Sequence, residues 1–172
     1  MATKATKPAA KKATGSARTD PATKLLMADH KEVHAMFQQY KKLADADAEA
    51  SEREALATEI CHALTIHATI EEELFYPAAR EAEVDAGLLD EAEVEHASAK
   101  ELIAQIEAMS PDDDLYDAKL TVLGEYIDHH VKEEEGELFP KCRKSDMDLE
   151  GIGEALATRK QALTTEMAEM AA

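Results

Sequence analysis

Apolar positions along this chain recur at intervals of three and four, the period of an α-helix with one buried face. Leu26, His30, Val33, Phe37 and Tyr40 form a first stripe. It follows Asp20-Pro21, an N-cap residue with Pro at the first helical position, and predicts a helix to about Leu43. A second stripe runs through Leu56, Ile60, Ala63, His67, Ile70 with Glu71, and Leu74. Ser51 with Glu54 reads as its capping box, and Pro77 should end or kink it. The third stripe is Leu89, Ala92, His96, Ala99, Ile103 and Ile106, on a helix from about Leu88 to Met109 that Ser110-Pro111 stops. The fourth takes in Val122 and Leu123, Tyr126 and Ile127, His130, Glu134 and Leu138, from about Asp112 to a stop at Pro140. A weaker pattern predicts a fifth helix from about Leu149 to Met170. Short connections favour antiparallel neighbours. The expected fold is all-α: an up-down-up-down four-helix bundle over 20–142, with an additional C-terminal helix over 143–172 that packs on or extends it.

Composition supports this. Aromatic residues make up 4% of the 172 residues, Gly numbers 6 and Pro 5, and no long Val, Ile or Thr run suggests a sheet. The net charge is -18, but residues 1–24 carry six cations against Asp20 alone. Residues 1–19, rich in Ala, Lys and Thr, read as a disordered basic tail. That tail is the only segment suited, weakly, to nucleic acid, because so acidic a body repels a phosphate backbone. No apolar run nears 18 residues and no secretory h-region is present, so no membrane span is expected and the cytoplasm is the expected compartment. Cys61 and Cys142 form no CxxC pair and read as unpaired thiols.

The chemistry lies in a repeat. Residues 67–77 read HATIEEELFYP and residues 130–140 read HVKEEEGELFP, so His67 aligns with His130 and Glu71 with Glu134. Upstream, ADHKEV around His30 matches VEHASA around His96. The chain thus reads as two αα-hairpins, each with one His on its first helix and His-x-x-x-Glu on its second. Residues four apart share a helix face, so each His and Glu can approach one centre. Two hairpins about a pseudo-two-fold axis would gather four imidazoles and two carboxylates. That set suits two metal ions, with two His on each and both carboxylates bridging. Nitrogen and oxygen donors without thiolate suit iron, and manganese or zinc less well. Burial adds weight: each of the six occupies a stripe position where Leu or Ile is expected. A buried polar group without a partner costs roughly 2–7 kcal/mol, and metal coordination supplies the partner. Glu72, Glu73, Glu133 and Glu137 read as a solvated face, one of which could orient a histidine Nδ1–H. His62 and His129 fall off the stripes, and Tyr126, one turn before His130, reads as core packing that could also bond near the centre.

These residues resemble the hemerythrin-like, or HHE cation-binding, family. The likeness rests on His30, His67 with Glu71, His96, His130 with Glu134, and the LFYP and LFP endings, over about residues 22–142. It implies an up-down bundle around a carboxylate-bridged pair of non-haem irons that can bind dioxygen. Relatives sense iron or oxygen, act on peroxide or handle nitric oxide. Oxygen carriers of the family place a fifth histidine four residues after the third-helix His, where this chain has Lys100. His34, four after His30, is the pseudo-symmetric substitute, with packing beside the site or facing solvent as its alternative. The carriers' last carboxylate also lies five residues after its His, a spacing that Glu135 matches, whereas the repeat favours Glu134. Three roles follow: binding of dioxygen or a related ligand for sensing, storage or delivery; an enzyme that decomposes peroxide or reduces nitric oxide; or an iron-responsive binding protein. The resemblance does not choose between enzyme and binding module.

Overall fold

A computed structural model describes residues 20–170, and all of its regular structure is helical. Helix α1 spans Pro21–Asp45 and α2 spans Ala50–Ile70. A π-helical turn, Glu71–Phe75, carries α2 without a break into α3, Tyr76–Glu81. Helix α4 is Ala86–Glu107 and α5 is Tyr116–Glu133. A second π-helical turn, Glu134–Leu138, leads from α5 into α6, Phe139–Lys144. Helix α7 is Leu149–Met170. The expected basic tail, 1–19, lies outside the described residues. No helix among those described is long and apolar enough to cross a membrane.

Two apolar clusters set the arrangement. One gathers Leu26 from α1, Ile70 at the end of α2, Leu89 near the start of α4, and Leu138 and Phe139 past the end of α5. The other gathers Tyr40, Leu56, Ile60, Ile103, Ile106 and Leu120. Successive long helices therefore run in opposite senses between the two clusters. Helix α1 packs on α2 and α5, α4 packs on α5 and α2, and α7 lies along α1 and α2. Fully burying side chains such as Leu26, Ile60 or Leu120 contributes about 1.5–3 kcal/mol each. Cys61 and Cys142 are buried free thiols.

Local chemistry explains where helices begin and where they pass expected stops. Asp20 caps α1 by accepting from the Thr23 backbone N–H at 3.1 Å. Asp85 does the same for α4. The Ser51 capping box does not form: α2 starts a residue earlier, after Glu49, with no side-chain cap. Helix α5 starts at Tyr116, because Ser110–Asp114 fold into turns in which Asp113 accepts from the Ser110 backbone N–H. Neither Pro77 nor Pro140 stops its helix. In the wider π turn, the Tyr76 and Phe139 N–H groups reach back five residues to the Glu71 and Glu134 carbonyls. The altered register admits proline where a regular α-turn would clash. The fourth stripe holds at one member of each adjacent apolar pair. Leu123 is buried and Ile127 partly buried, in line with Leu120, whereas Val122 and Tyr126 are exposed.

Candidate metal centre

Between the two apolar clusters lies a layer of buried polar residues: His30, His67, Glu71, His96, His130 and Glu134. Helix α1 supplies His30, α2 supplies His67, α4 supplies His96 and α5 supplies His130. Each glutamate opens a π turn, one helical turn beyond its histidine.

The imidazoles meet in two pairs. Nε2 of His30 lies 3.1 Å from Nε2 of His67, and Nε2 of His96 lies 3.1 Å from Nε2 of His130. Each carboxylate spans both pairs. Oε2 of Glu71 is 3.2 Å from His67 Nε2 and 3.3 Å from His96 Nε2. Oε2 of Glu134 is 3.3 Å from His30 Nε2 and 3.5 Å from His130 Nε2. Two donor groups with the mutual spacing of a metal shell result: His30, His67, Glu71 and Glu134, and Glu71, His96 and His130.

A carboxylate holds the outer nitrogen of every imidazole. His30 Nδ1–H donates to Glu135 at 2.9 Å and His96 Nδ1–H to Glu72 at 3.0 Å. His67 Nδ1–H donates to Asp29 at 3.4 Å and His130 Nδ1–H to Glu95 at 2.7 Å. The pattern obeys the repeat: the residue after each central glutamate serves one histidine, and the residue before each first-helix histidine serves the other. With the protons drawn to Nδ1, all four Nε2 lone pairs point inward. Carboxylate oxygens point there too, and Oε1 of Glu71 and Oε2 of Glu134 are buried without a hydrogen bond among the described residues. Converging acceptors repel one another in a low dielectric, so the site calls for positive charge.

Proton affinities carry the same signature. Burial opposes an imidazolium at His67, but Glu71 beside it and Asp29 on Nδ1 outweigh burial and push it up to about 10. Burial likewise opposes charge on His130, and Glu134 and Glu95 raise it nonetheless. Burial disfavours the charged form of Glu71, yet His67 and His96 hold it well below the usual carboxylate range. A cation at the centre would replace these protons.

The two ends of the centre differ. At one end the Tyr76 hydroxyl donates to Oε1 of Glu134 at 2.9 Å and lies 3.3 Å from both Glu71 Oε2 and His96 Nε2. Its counterpart in the repeat, Phe139, stacks on His30 at a centroid distance of 5.8 Å. Elsewhere an apolar cavity of about 20 Å3 abuts all four imidazoles, walled by Val33, Leu64, Ala99, Ile103 and Ile127. That is room for a water-sized molecule or two.

The other sequence candidates fall outside this layer. His34 is 54% exposed and bonds to Asp128 at 3.1 Å and Gln38 at 2.7 Å, so its ring is not brought to the others. Glu135 reaches the outer nitrogen of His30 rather than the inner cluster. Tyr126 is exposed. His129 lies on the surface with Glu95 and Glu133. Sequence reasoning missed Asp29, Glu95 and Tyr76. The first two had a signal, an acid directly before His30 and before His96 in the matched hexapeptides.

Residues 22–142 match the sequence pattern of a family described as Hemerythrin HHE cation binding domain. A crystal structure of a hemerythrin HHE cation binding domain-containing protein from Mycobacterium kansasii shares the fold. The TM-score is 0.70 at 24% identity, over 86% of this chain and 89% of that one. No curated protein sequence matches the chain.

Proposed function

Because this chain belongs to the hemerythrin HHE cation binding domain family, we propose that it is a non-haem di-iron protein that binds dioxygen or a related small ligand for sensing, storage or delivery. On this reading 20–142 is an up-down-up-down four-helix bundle, and 143–172 adds a helix packed on it. His30 and His67 would hold one iron and His96 and His130 the other, with Glu71 and Glu134 as the carboxylates shared between the two pairs. The donor set fits iron, with manganese or zinc as lesser alternatives. One observation carries the reading: two buried glutamates each span two histidine pairs, and two of their oxygens have no hydrogen bond among the described residues.

Two bound irons would supply Lewis acidity and reversible one-electron chemistry. The chain supplies the rest. Asp29, Glu72, Glu95 and Glu135 fix the tautomers and ring planes of the four histidines. The cavity walled by Val33, Ile103 and Ile127 admits small apolar ligands and offers water few hydrogen bonds. His34 and Glu135 are assigned no direct metal bond here. The expected cytoplasmic setting suits the free thiols of Cys61 and Cys142.

A second reading rests on Tyr76. Its hydroxyl, hydrogen-bonded to Glu134, places a hydrogen-bond donor at the centre. Decomposition of peroxide uses such a donor, and simple reversible binding does not require one.

Elemental analysis of freshly purified protein, paired with absorption spectra, tests these readings. About two irons per chain, with a visible band that forms under air and is lost under vacuum, supports the binding module. Oxygen evolution from added peroxide supports the enzyme. Less than half an atom of all transition metals per chain overturns both.

A further inference from the structure

Helix α7 begins after the last residue that matches the family, yet it reaches the candidate centre. Gly153 makes this possible. A Cβ there would lie 2.7 Å from a Pro21 side-chain carbon and 2.8 Å from the Ala22 backbone nitrogen, so α7 can rest on the start of α1 only with glycine at the contact. The approach fixes the next turns. Leu156 is fully buried in the cluster that holds Leu26 and Ile70. Arg159 forms an ion pair with Glu73 at 2.7 Å. Lys160 places Nζ 2.5 Å from Oδ1 of Asp29. The other oxygen of Asp29 accepts from Nδ1 of His67. A chain of contacts therefore runs from α7 through α1 to an inner histidine of α2.

We propose that Lys160 is a positioning residue of the metal centre, acting through Asp29 on His67, which makes α7 a working part of the site. The proposal rests on the di-metal reading above. Asp29 is buried, and a buried carboxylate with one free oxygen can rotate away. Lys160 holds that oxygen, so the other stays aimed at His67.

The second half of the repeat is built otherwise. Glu95, the counterpart of Asp29, meets His130 directly at 2.7 Å and has the exposed His129 at 3.4 Å instead of a lysine. Lys100 binds Glu72 behind His96, but it comes from α4, inside the repeat. Among the described residues, only the His30–His67 position depends on a helix outside the matched region.

The test uses full-length protein loaded with ferrous iron, and follows metal release to excess chelator in wild type, Lys160→Met, Lys160→Arg and Arg159→Met. Arg159 sits beside Lys160 but touches no histidine partner, so its variant loosens α7 without disturbing Asp29. Lys160→Met should release one of the two ions about tenfold faster, the lower end of the effect of losing an outer partner. The other ion should keep its rate. Lys160→Arg should restore wild-type release, and Arg159→Met should leave both phases unchanged. Two-ion loading with identical release from Lys160→Met overturns this proposal alone. Equal acceleration by Lys160→Met and Arg159→Met also overturns it, since docking of α7 would then suffice. Wild type that takes up no metal overturns the di-metal reading and this proposal with it. If Lys160→Met fails to fold, Asp29→Asn must show the same one-ion effect, and its absence overturns the proposal.

Discussion

The hydroxyl of Tyr76 donates a 2.9 Å hydrogen bond to Oε1 of Glu134, joining the first hairpin to the central carboxylate of the second. The phenol is almost wholly buried, and burial together with Glu71 and Glu134 raises its proton affinity well above the ordinary value. It therefore stays protonated and donating. The equivalent place in the second hairpin holds Phe139, which can pack but cannot donate.

Tyr76→Phe should keep the fold and both metal ions. It removes one donor from a buried acceptor and should cost about 1–3 kcal/mol in chemical denaturation of the metal-free protein. The visible spectrum of the loaded protein should shift. An unchanged spectrum and unchanged stability would show the hydrogen bond to be idle.

Glu71→Ala and Glu134→Ala should each lose the paired centre, because each carboxylate contacts a histidine from both pairs. Elemental analysis should fall from about two ions to one or none per chain. His34→Ala should leave the metal content as it was, since its ring is engaged by Asp128 and Gln38. Retention of two ions in either glutamate variant would reassign the bridges.

Stripping metal with chelator should lower the melting temperature. At a free metal concentration a hundredfold above Kd, binding contributes about 2.7 kcal/mol. For a chain of this size that corresponds to roughly 5–10 °C. Calorimetry with and without chelator reads this, and equal melting temperatures would contradict coupling between metal and fold.

Asp20→Ala should cost about 1 kcal/mol as a lost helix cap. The effect should depend on pH. Burial raises the pKa of Asp20, but hydrogen bonds from Thr23 and Arg143 outweigh it and hold the group below its ordinary 3.8. A depressed carboxylate contributes stability above its unfolded value and loses it as pH falls through the folded one. The gap between wild type and variant should thus be full above about pH 4 and close at lower pH. Urea titrations across pH 2–7 would measure it.

Much of this was legible in the sequence, for reasons particular residues make clear. His67 with Glu71 and His130 with Glu134 stand out because one helical turn separates the members of each pair and the context repeats. Their outer partners left a signal that is hard to read, because Asp29 serves a histidine 38 positions away rather than its own neighbour His30. Only the packing of α1 on α2 reveals that exchange. The fourth stripe was legible only in part, because Val122-Leu123 and Tyr126-Ile127 are adjacent apolar pairs, and periodicity alone cannot choose between faces about 100° apart. The π turns left no trace, since a slip of one residue barely disturbs a pattern of threes and fours.

Those widened turns bear on how the chain tolerates length changes. Each holds one residue more than a regular turn over the same span. Deleting Glu73 or Gly136 would leave every His-x-x-x-Glu spacing intact in the text of the sequence. It would also close the wide turn into a regular one, so that Tyr76 or Phe139 keeps its place while the proline after it loses the register that admits it. A homologue could thus lose a single codon at either turn and keep all six inward donors and the aromatic wall, provided that the following proline is replaced as well.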